Sequence, residues 1–382
     1  MRILVSVKLA RTKESFFVKI ESKDPGTVRN YVTAINNLEN FCMEQFGKVD
    51  YVAELKDFDN EEVFDFLQAW INWNSQISPR AVGNYFSRIK KYLHYRGIKL
   101  HPQDIKEELD FPNLIEEELY SMSLEDVQTI AKNMQYKQKT QFICQLSSLM
   151  RVGEIVQLRK KHLILGQQNI IVKIPAQIAK FKKGRTTFFS KEASSMLRPL
   201  LRRMEDNDLI FGSNENMRFA RTNAEQTLRR VLDKTGLDMK YEGNKRYMIN
   251  THSFRAYGIT KLSRHDPNFA KKIAGQKGYL LQYDRMTDEE KLELYQKFEI
   301  DLIIDNSLKL KKEKQILESE LETTENLKVR IKALEQEKEE SRALLSQEME
   351  LMSMKKHTTI EDLQEQMQEM AKAIKELKKQ KV

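Results

Sequence analysis

The chain has 382 residues, of which 40% are hydrophobic and 32% charged, with a formal net charge of +9. This length exceeds one average domain, and the two cysteines, Cys42 and Cys144, form no C-x-x-C pair, which argues against a zinc site or a disulfide framework. No apolar run approaches the roughly 18 residues of a membrane helix, and the start, MRILVSVKLARTK, lacks a signal-peptide cleavage pattern, so a cytoplasmic setting is expected.

The first few residues read as a first strand or an ordered arm. From Thr27 to Leu100 the apolar residues recur at helical spacing. Val28, Tyr31, Val32, Ile35, Leu38 and Phe41 share one face, and Val63, Phe64, Leu67, Trp70 and Ile71 share a second. A third face carries Val82, Tyr85, Phe86, Ile89, Tyr92 and Leu93, with Arg80, Arg88, Lys90, Lys91 and Arg96 interleaved and Gly97 as a C-cap. Such interleaving suits phosphate contact; a solvated helix face is the competing reading. Residues 101–121 read as a connector, with Pro102 and Pro112 as helix breakers and an acidic run at Glu116, Glu117 and Glu118. Ser123-Leu124-Glu125-Asp126 reads as a capping box that opens a second domain.

Within that domain, 169–189 reads as a β-hairpin. Its strands are Ile170 to Ile174 and Thr186 to Phe189, and Lys180, Lys182, Lys183, Gly184 and Arg185 lie at the turn. Helical patterns return at 191–204, at 222–232 and after His252. The final segment, 306–382, holds 16 basic and 16 acidic residues, so the whole positive excess lies in the first 305. A basic globular part beside a neutral tail suits a polyanionic partner, although a basic protein without one fits the charge equally well. In the tail, Ile360, Leu363, Met367, Met370, Ile374 and Leu377 alternate by three and four, as a and d positions of a heptad do. Leu327, Ile331 and Leu334 start a similar run, which Lys338 and Ser341 weaken and His357-Thr358-Thr359 interrupts.

Four separated pieces carry candidate chemistry. They are Arg151-Val-Gly-Glu154 with Leu158 following, Lys180-Phe-Lys-Lys-Gly-Arg185, His252-Ser-Phe-Arg255, and Gly275-Gln276 followed by Tyr283-Asp-Arg. In this order they resemble the tyrosine recombinase, or phage-integrase, family. The stretch from Tyr283 to Glu290 is similar to archaeal integrases in particular. The resemblance covers about residues 20–300. It departs at Gln276, where the family has histidine, and at Tyr283, which falls seven residues after Gln276 rather than the family's eight or nine.

The resemblance implies a mainly α fold with a small β-sheet in an α+β catalytic domain. The boundaries are a helical DNA-binding domain at 1–105, a linker at 106–121, the catalytic domain at 122–305 and a coiled-coil tail at 306–382. It implies cleavage and rejoining of double-stranded DNA through a 3′-phosphotyrosine on Tyr283, with Tyr279 and Tyr295 as rivals. Arg151 and Arg255 would clamp the phosphate, Lys180 would protonate the leaving 5′-oxygen, and His252 would take the phenolic proton or bond a phosphate oxygen. Lys182 and Lys183 compete with Lys180, and both join Arg185 among the candidate phosphate contacts. No metal or cofactor is required, and a tetrameric homo-oligomer on DNA is the family expectation. Integration or excision of a mobile element is the expected role. Xer-like dimer resolution, a non-catalytic architectural DNA binder and a coiled-coil scaffold are the competing readings.

Overall fold

A computed structural model describes residues 11–212, 215–276 and 285–379. The expected first strand or arm, 1–10, lies outside the described residues. The chain divides into two compact units, one running through Tyr120 and including Met239–Met248, the other comprising Ser121–Asp238 and Ile249 onward. No helix among the described residues is long and apolar enough to cross a membrane.

The first unit is helical. α1 (Lys13–Ile20) opens with a Thr12/Ser15 capping box, and α2 (Pro25–Phe46) ends at left-handed Gly47. α3 (Asn60–Trp73) opens with an Asp59/Glu62 capping box. α4 (Pro79–Arg96) ends at Gly97, whose φ of 107° is open to glycine, as expected of a C-cap. The aromatic stripes form the core: Phe41, Phe64, Trp70, Phe86 and Tyr92 are all buried. Trp70 donates its indole N–H to Asn37, which donates to Asn74, which donates back to the Trp70 carbonyl, so these three residues satisfy one another under the core.

Two expectations change in this unit. Pro102 begins a helix, α5 (Pro102–Glu108), because a first-turn proline forfeits no intrahelical bond. The acidic run is bound into the unit: the Glu117 carboxylate accepts the backbone N–H groups of Glu242 and Gly243, and Glu116 pairs with Arg80 at 2.8 Å. Tyr241 adds a hydroxyl acceptor for the Tyr120 N–H.

The second unit begins with α6 (Leu124–Lys132), opened by the expected Ser123/Asp126 capping box. α7 (Tyr136–Ser148) is its central helix, buried throughout from Thr140 to Ser148. Thr140, Ser147 and Ser148 donate to carbonyls of the same helix and Gln145 donates to the Thr251 carbonyl, whereas Gln141 Nε2 and Gln145 Oε1 are buried without a hydrogen-bond partner among the described residues. A one-turn helix, α8 (Val152–Ile155), follows.

The sheet has three antiparallel strands, β1 (Leu163–Leu165), β2 (Ile170–Ile174) and β3 (Arg185–Phe189), in the order β1-β2-β3. β2 and β3 are the expected hairpin, with Ile170 opposite Phe189 and Ile174 opposite Arg185. β1 escapes sequence reading because it spans three residues, two of which, Ile164 and Leu165, are exposed, so no alternation marks it.

α9 (Lys191–Leu201), α10 (Met217–Thr235), α11 (Thr251–Ser263), α12 (Pro267–Ala274) and α13 (Asp288–Phe298) complete the body. α14 (Asn306–Lys379) is one helix of 74 residues, about 110 Å long at 1.5 Å per residue. Its start is tied down: Gln128 donates to the Ile304 carbonyl and to Asn306, the Glu192 carboxylate accepts the Ile304 N–H, and Lys312 pairs with Glu299. Beyond that, Leu327, Ile331, Leu334, Leu363, Met367 and Met370 are exposed. The Ile360, Ile374 and Leu377 side chains lie outside those described. The helix runs through His357-Thr358-Thr359, because a lapse in a heptad removes a seam without supplying a glycine or proline to stop the backbone.

Candidate active site

The site is built where α7 ends and α11 begins. α7 stops at Leu149, a fully buried residue in the left-handed region at φ 55°. This conformation is uncommon outside glycine and asparagine. It turns the Leu149 carbonyl toward α11, where it accepts from Arg255. The chain then enters α8 with Arg151 as its N-cap. Arg151 receives the Glu154 carboxylate on its backbone N–H at 2.9 Å and on its guanidinium at 3.1 Å.

Glu154 is 1% exposed and serves two arginines. Arg185, at the start of β3, reaches it with both terminal nitrogens, at 3.1 and 2.7 Å. Burial pushes the Glu154 carboxyl up, but the Arg185 hydrogen bond and charge, with Arg151 behind them, hold it below the ordinary value. Arg185 also donates its Nε to the Ile273 carbonyl at 2.9 Å. Its side chain is only 10% exposed. The hairpin residue expected at a phosphate is therefore turned inward, a strut between α8 and the end of α12.

Arg255 forms a second strut. It is 1% exposed and donates to the carbonyls of Leu149 and Ala274, the latter at 2.8 Å. These carbonyls end α7 and α12, where the helix dipole favours a cation. Desolvation first, and Arg151 second, lower its pKa to about 9, which leaves it charged at neutral pH. Of the two arginines expected to clamp a phosphate, Arg151 keeps an accessible face and Arg255 sits beneath.

His252 lies in the first turn of α11, its backbone N–H capped by Asn250 at 2.8 Å, and its side chain is accessible. Partial burial, then the charges of Arg255, Arg151 and Lys180, depress its pKa, so the ring is neutral at pH 7. Lys180 projects from the β2–β3 connection. Lys182 turns back to the Gln177 carbonyl at 3.1 Å, and Lys183 is exposed. Three separated segments thus bring Arg151, Lys180, His252 and Arg255 together.

Gly275 and Gln276 end α12. Gly275 has φ 64°, and a Cβ there would lie 2.7 Å from Arg185 Cδ, so glycine is required twice over. Gln276 is exposed, with its backbone N–H on the Lys271 carbonyl. Lys277, Tyr279 and Tyr283 lie outside the described residues. Tyr295 is fully buried on α13 and donates its hydroxyl to the Ser147 carbonyl at 2.9 Å, which seals it from any substrate. Burial pushes its phenol well above the usual range. Tyr295→Phe should cost about 1–2 kcal/mol, the price of an unpaired buried carbonyl, and leave any DNA-linked chemistry intact; denaturant unfolding checks the first part and a cleavage gel the second.

In the first unit, the candidate phosphate contacts divide. Lys90 and Lys91 are exposed, Arg80 is held by Glu116, and Arg88 donates to the Asn84 carbonyl of its own helix. Arg96 is 5% exposed and bound to Asp50 at 2.9 and 3.0 Å and to the Tyr92 hydroxyl, so it is a core residue. Sequence reading missed Phe181, whose ring lies against Arg151, and Gly258, whose role depends on helix approach.

Residues 119–277 match the model of the phage integrase family. This stretch is similar to phage integrases. It spans Arg151, Lys180, His252, Arg255 and Gln276. A comparison with curated proteins gives no match. Among solved structures, the chain is similar to XerH site-specific recombinase bound to difH substrate, with 18% identity, 73% of this chain and 81% of that one covered, and a TM-score of 0.47. It is also similar to a lambda integrase dimer bound to a COC′ core site, at 10% identity, 72% and 79% coverage and a TM-score of 0.49. The Tn1549 transposon integrase in complex with transposon right end DNA gives 14%, 73% and 96%, with a TM-score of 0.49.

Proposed function

We propose that the chain is a tyrosine recombinase that cuts and rejoins double-stranded DNA, with Tyr283 as nucleophile. The observation that carries this reading is the convergence of Arg151, Lys180, His252 and Arg255 inside the stretch similar to phage integrases. The tyrosine oxygen attacks the scissile phosphorus, and the bond to the 5′-oxygen breaks as a 3′-phosphotyrosine forms. The planar donors of Arg151 meet the non-bridging oxygens, and the enclosed charge of Arg255 stabilises the transition state from below. His252, neutral before DNA binds, accepts the phenolic proton or bonds a phosphate oxygen. Lys180 gives its proton to the departing 5′-oxygen. Gln276 donates a hydrogen bond where the family has histidine, without carrying a proton. A second 5′-hydroxyl reverses the step, so strands exchange without an external energy source.

Lys90, Lys91, Lys182 and Lys183 supply exposed charge for phosphates, and binding should weaken steeply with salt. The exposed apolar residues of α14 suit self-association of protomers in a tetrameric synapse, and integration or excision of a mobile element is the role in view.

The test is covalent trapping of the protein on nicked suicide duplexes drawn from the flanks of its own gene. Wild type should give an adduct stable in denaturing gels, and Tyr283→Phe should abolish it. Loss with Tyr279→Phe instead would move the nucleophile. Tight, salt-sensitive binding with no adduct would make the protein an architectural DNA binder.

A further inference from the structure

The connection between β2 and β3, residues 175–184, is folded on itself. Ile178 and Ala179 donate to the Pro175 carbonyl, Lys182 donates to the Ala179 carbonyl, and Lys182 sits at φ 52°. Ala179, 4% exposed, anchors this loop, and the next two residues, Lys180 and Phe181, stand at its tip. Phe181 is half exposed, an uncommon place for a phenyl ring in a connection otherwise rich in lysine. Its partners explain it: the Arg151 guanidinium carbon lies 5.5 Å from the ring centroid and the Lys180 ammonium 5.8 Å. Two like charges brought together repel, and an aromatic face attracts both. Of the three hairpin lysines, Lys180 is the one on the ring and the one whose charge reaches His252.

We propose that Phe181 is a positioning residue, whose ring ties the hairpin to Arg151 and so delivers the Lys180 ammonium to the leaving oxygen. The proposal rests on the recombinase reading and adds to it the device that selects Lys180 over Lys182 and Lys183. A merely structural ring and a positioning ring differ in one chemical respect. When the scissile bond is to a 5′-oxygen, that oxygen must take a proton from Lys180 to leave as a hydroxyl. When the bridging atom is sulfur, it leaves as a thiolate and needs no proton.

The experiment compares full-length wild type, Phe181→Leu and Phe181→Tyr on suicide duplexes made with bridging 5′-oxygen or 5′-sulfur. Phe181→Leu keeps the apolar volume and should slow adduct formation about tenfold on the oxygen duplex, the order of one half-exposed cation–π contact, and less than about threefold on the sulfur duplex. Phe181→Tyr should restore the oxygen rate. Equal slowing on both duplexes, or no slowing on the oxygen duplex, would overturn the proposal. If wild type forms no adduct on either duplex, the recombinase reading fails instead. The contact itself is then read by mass spectrometry of Lys180 acetylation in the free protein, where an unchanged rate in Phe181→Leu would overturn it as well.

Discussion

Replacing Glu154 with glutamine should destabilise the second unit by about 3–5 kcal/mol and lower its melting temperature by about 10 °C. Glu154 is 1% exposed and is the acidic partner of Arg185, itself 10% exposed at the side chain, and of Arg151. The amide keeps the shape but removes the charge, leaving Arg185 enclosed without a counter-ion. A buried pair contributes little over an apolar replacement of both partners, yet breaking it on one side is costly. Glu154→Gln combined with Arg185→Leu should therefore recover a large part of the loss, and a thermal-melt double-mutant cycle measures the coupling. The pH dependence follows from the same geometry. The folded carboxyl titrates below its ordinary value of 4.5, so the unfolded chain takes up its proton first as pH falls. The stabilisation is complete above the unfolded pKa and is lost as pH drops through the lowered folded value. The acid limb of stability should be shallower in Glu154→Gln; an unchanged limb would show that the two arginines do not set this carboxyl.

The second large effect is expected at Gly258, three residues after Arg255 on α11. A Cβ there would lie 2.4 Å from the Leu146 carbonyl oxygen and 2.5 Å from Leu149 Cδ2. The first of these atoms is backbone in α7 and cannot rotate away, so α11 must withdraw. Gly258→Ala should cost about 2–3 kcal/mol by overpacking, net of the roughly 1 kcal/mol that alanine gains in helix propensity. The cost to chemistry should be larger. Arg255 reaches the Leu149 carbonyl only at this helix separation, and a displacement of about 1 Å at a reacting centre can cost about a hundredfold in rate. Unfolding in urea and adduct formation would be measured together, and an active Gly258→Ala protein of normal stability would show that α11 has room the geometry denies it.

Much of this architecture was legible along the chain. Amphipathic stripes placed α2, α3 and α4, the Ser123/Asp126 box opened α6, and Gly97 closed α4, because helix periodicity and end-capping are local properties. The order and spacing of Arg151, Lys180, His252 and Arg255 carried the family resemblance for a related reason: each residue type suits one task at a phosphate. Spacing along a chain says nothing of which way a side chain turns. Arg185 and Arg96 look like their basic neighbours in sequence, yet each is buried on a carboxylate, Glu154 or Asp50, supplied from a distant segment. Tyr295 shares its residue type with the candidate nucleophile and is sealed into the core by Ser147. Phe181 carried no signal of its own, since a ring becomes a cation platform only when cations are folded against it. The sequence by itself determined α2, α3, α4, the start of α6, the two-strand hairpin and which residues are candidates for the chemistry, through local periodicity and side-chain chemistry. Only the tertiary structure decided which arginines keep an accessible face and which serve as struts, because burial and charge pairing arise from contacts between segments far apart in the chain.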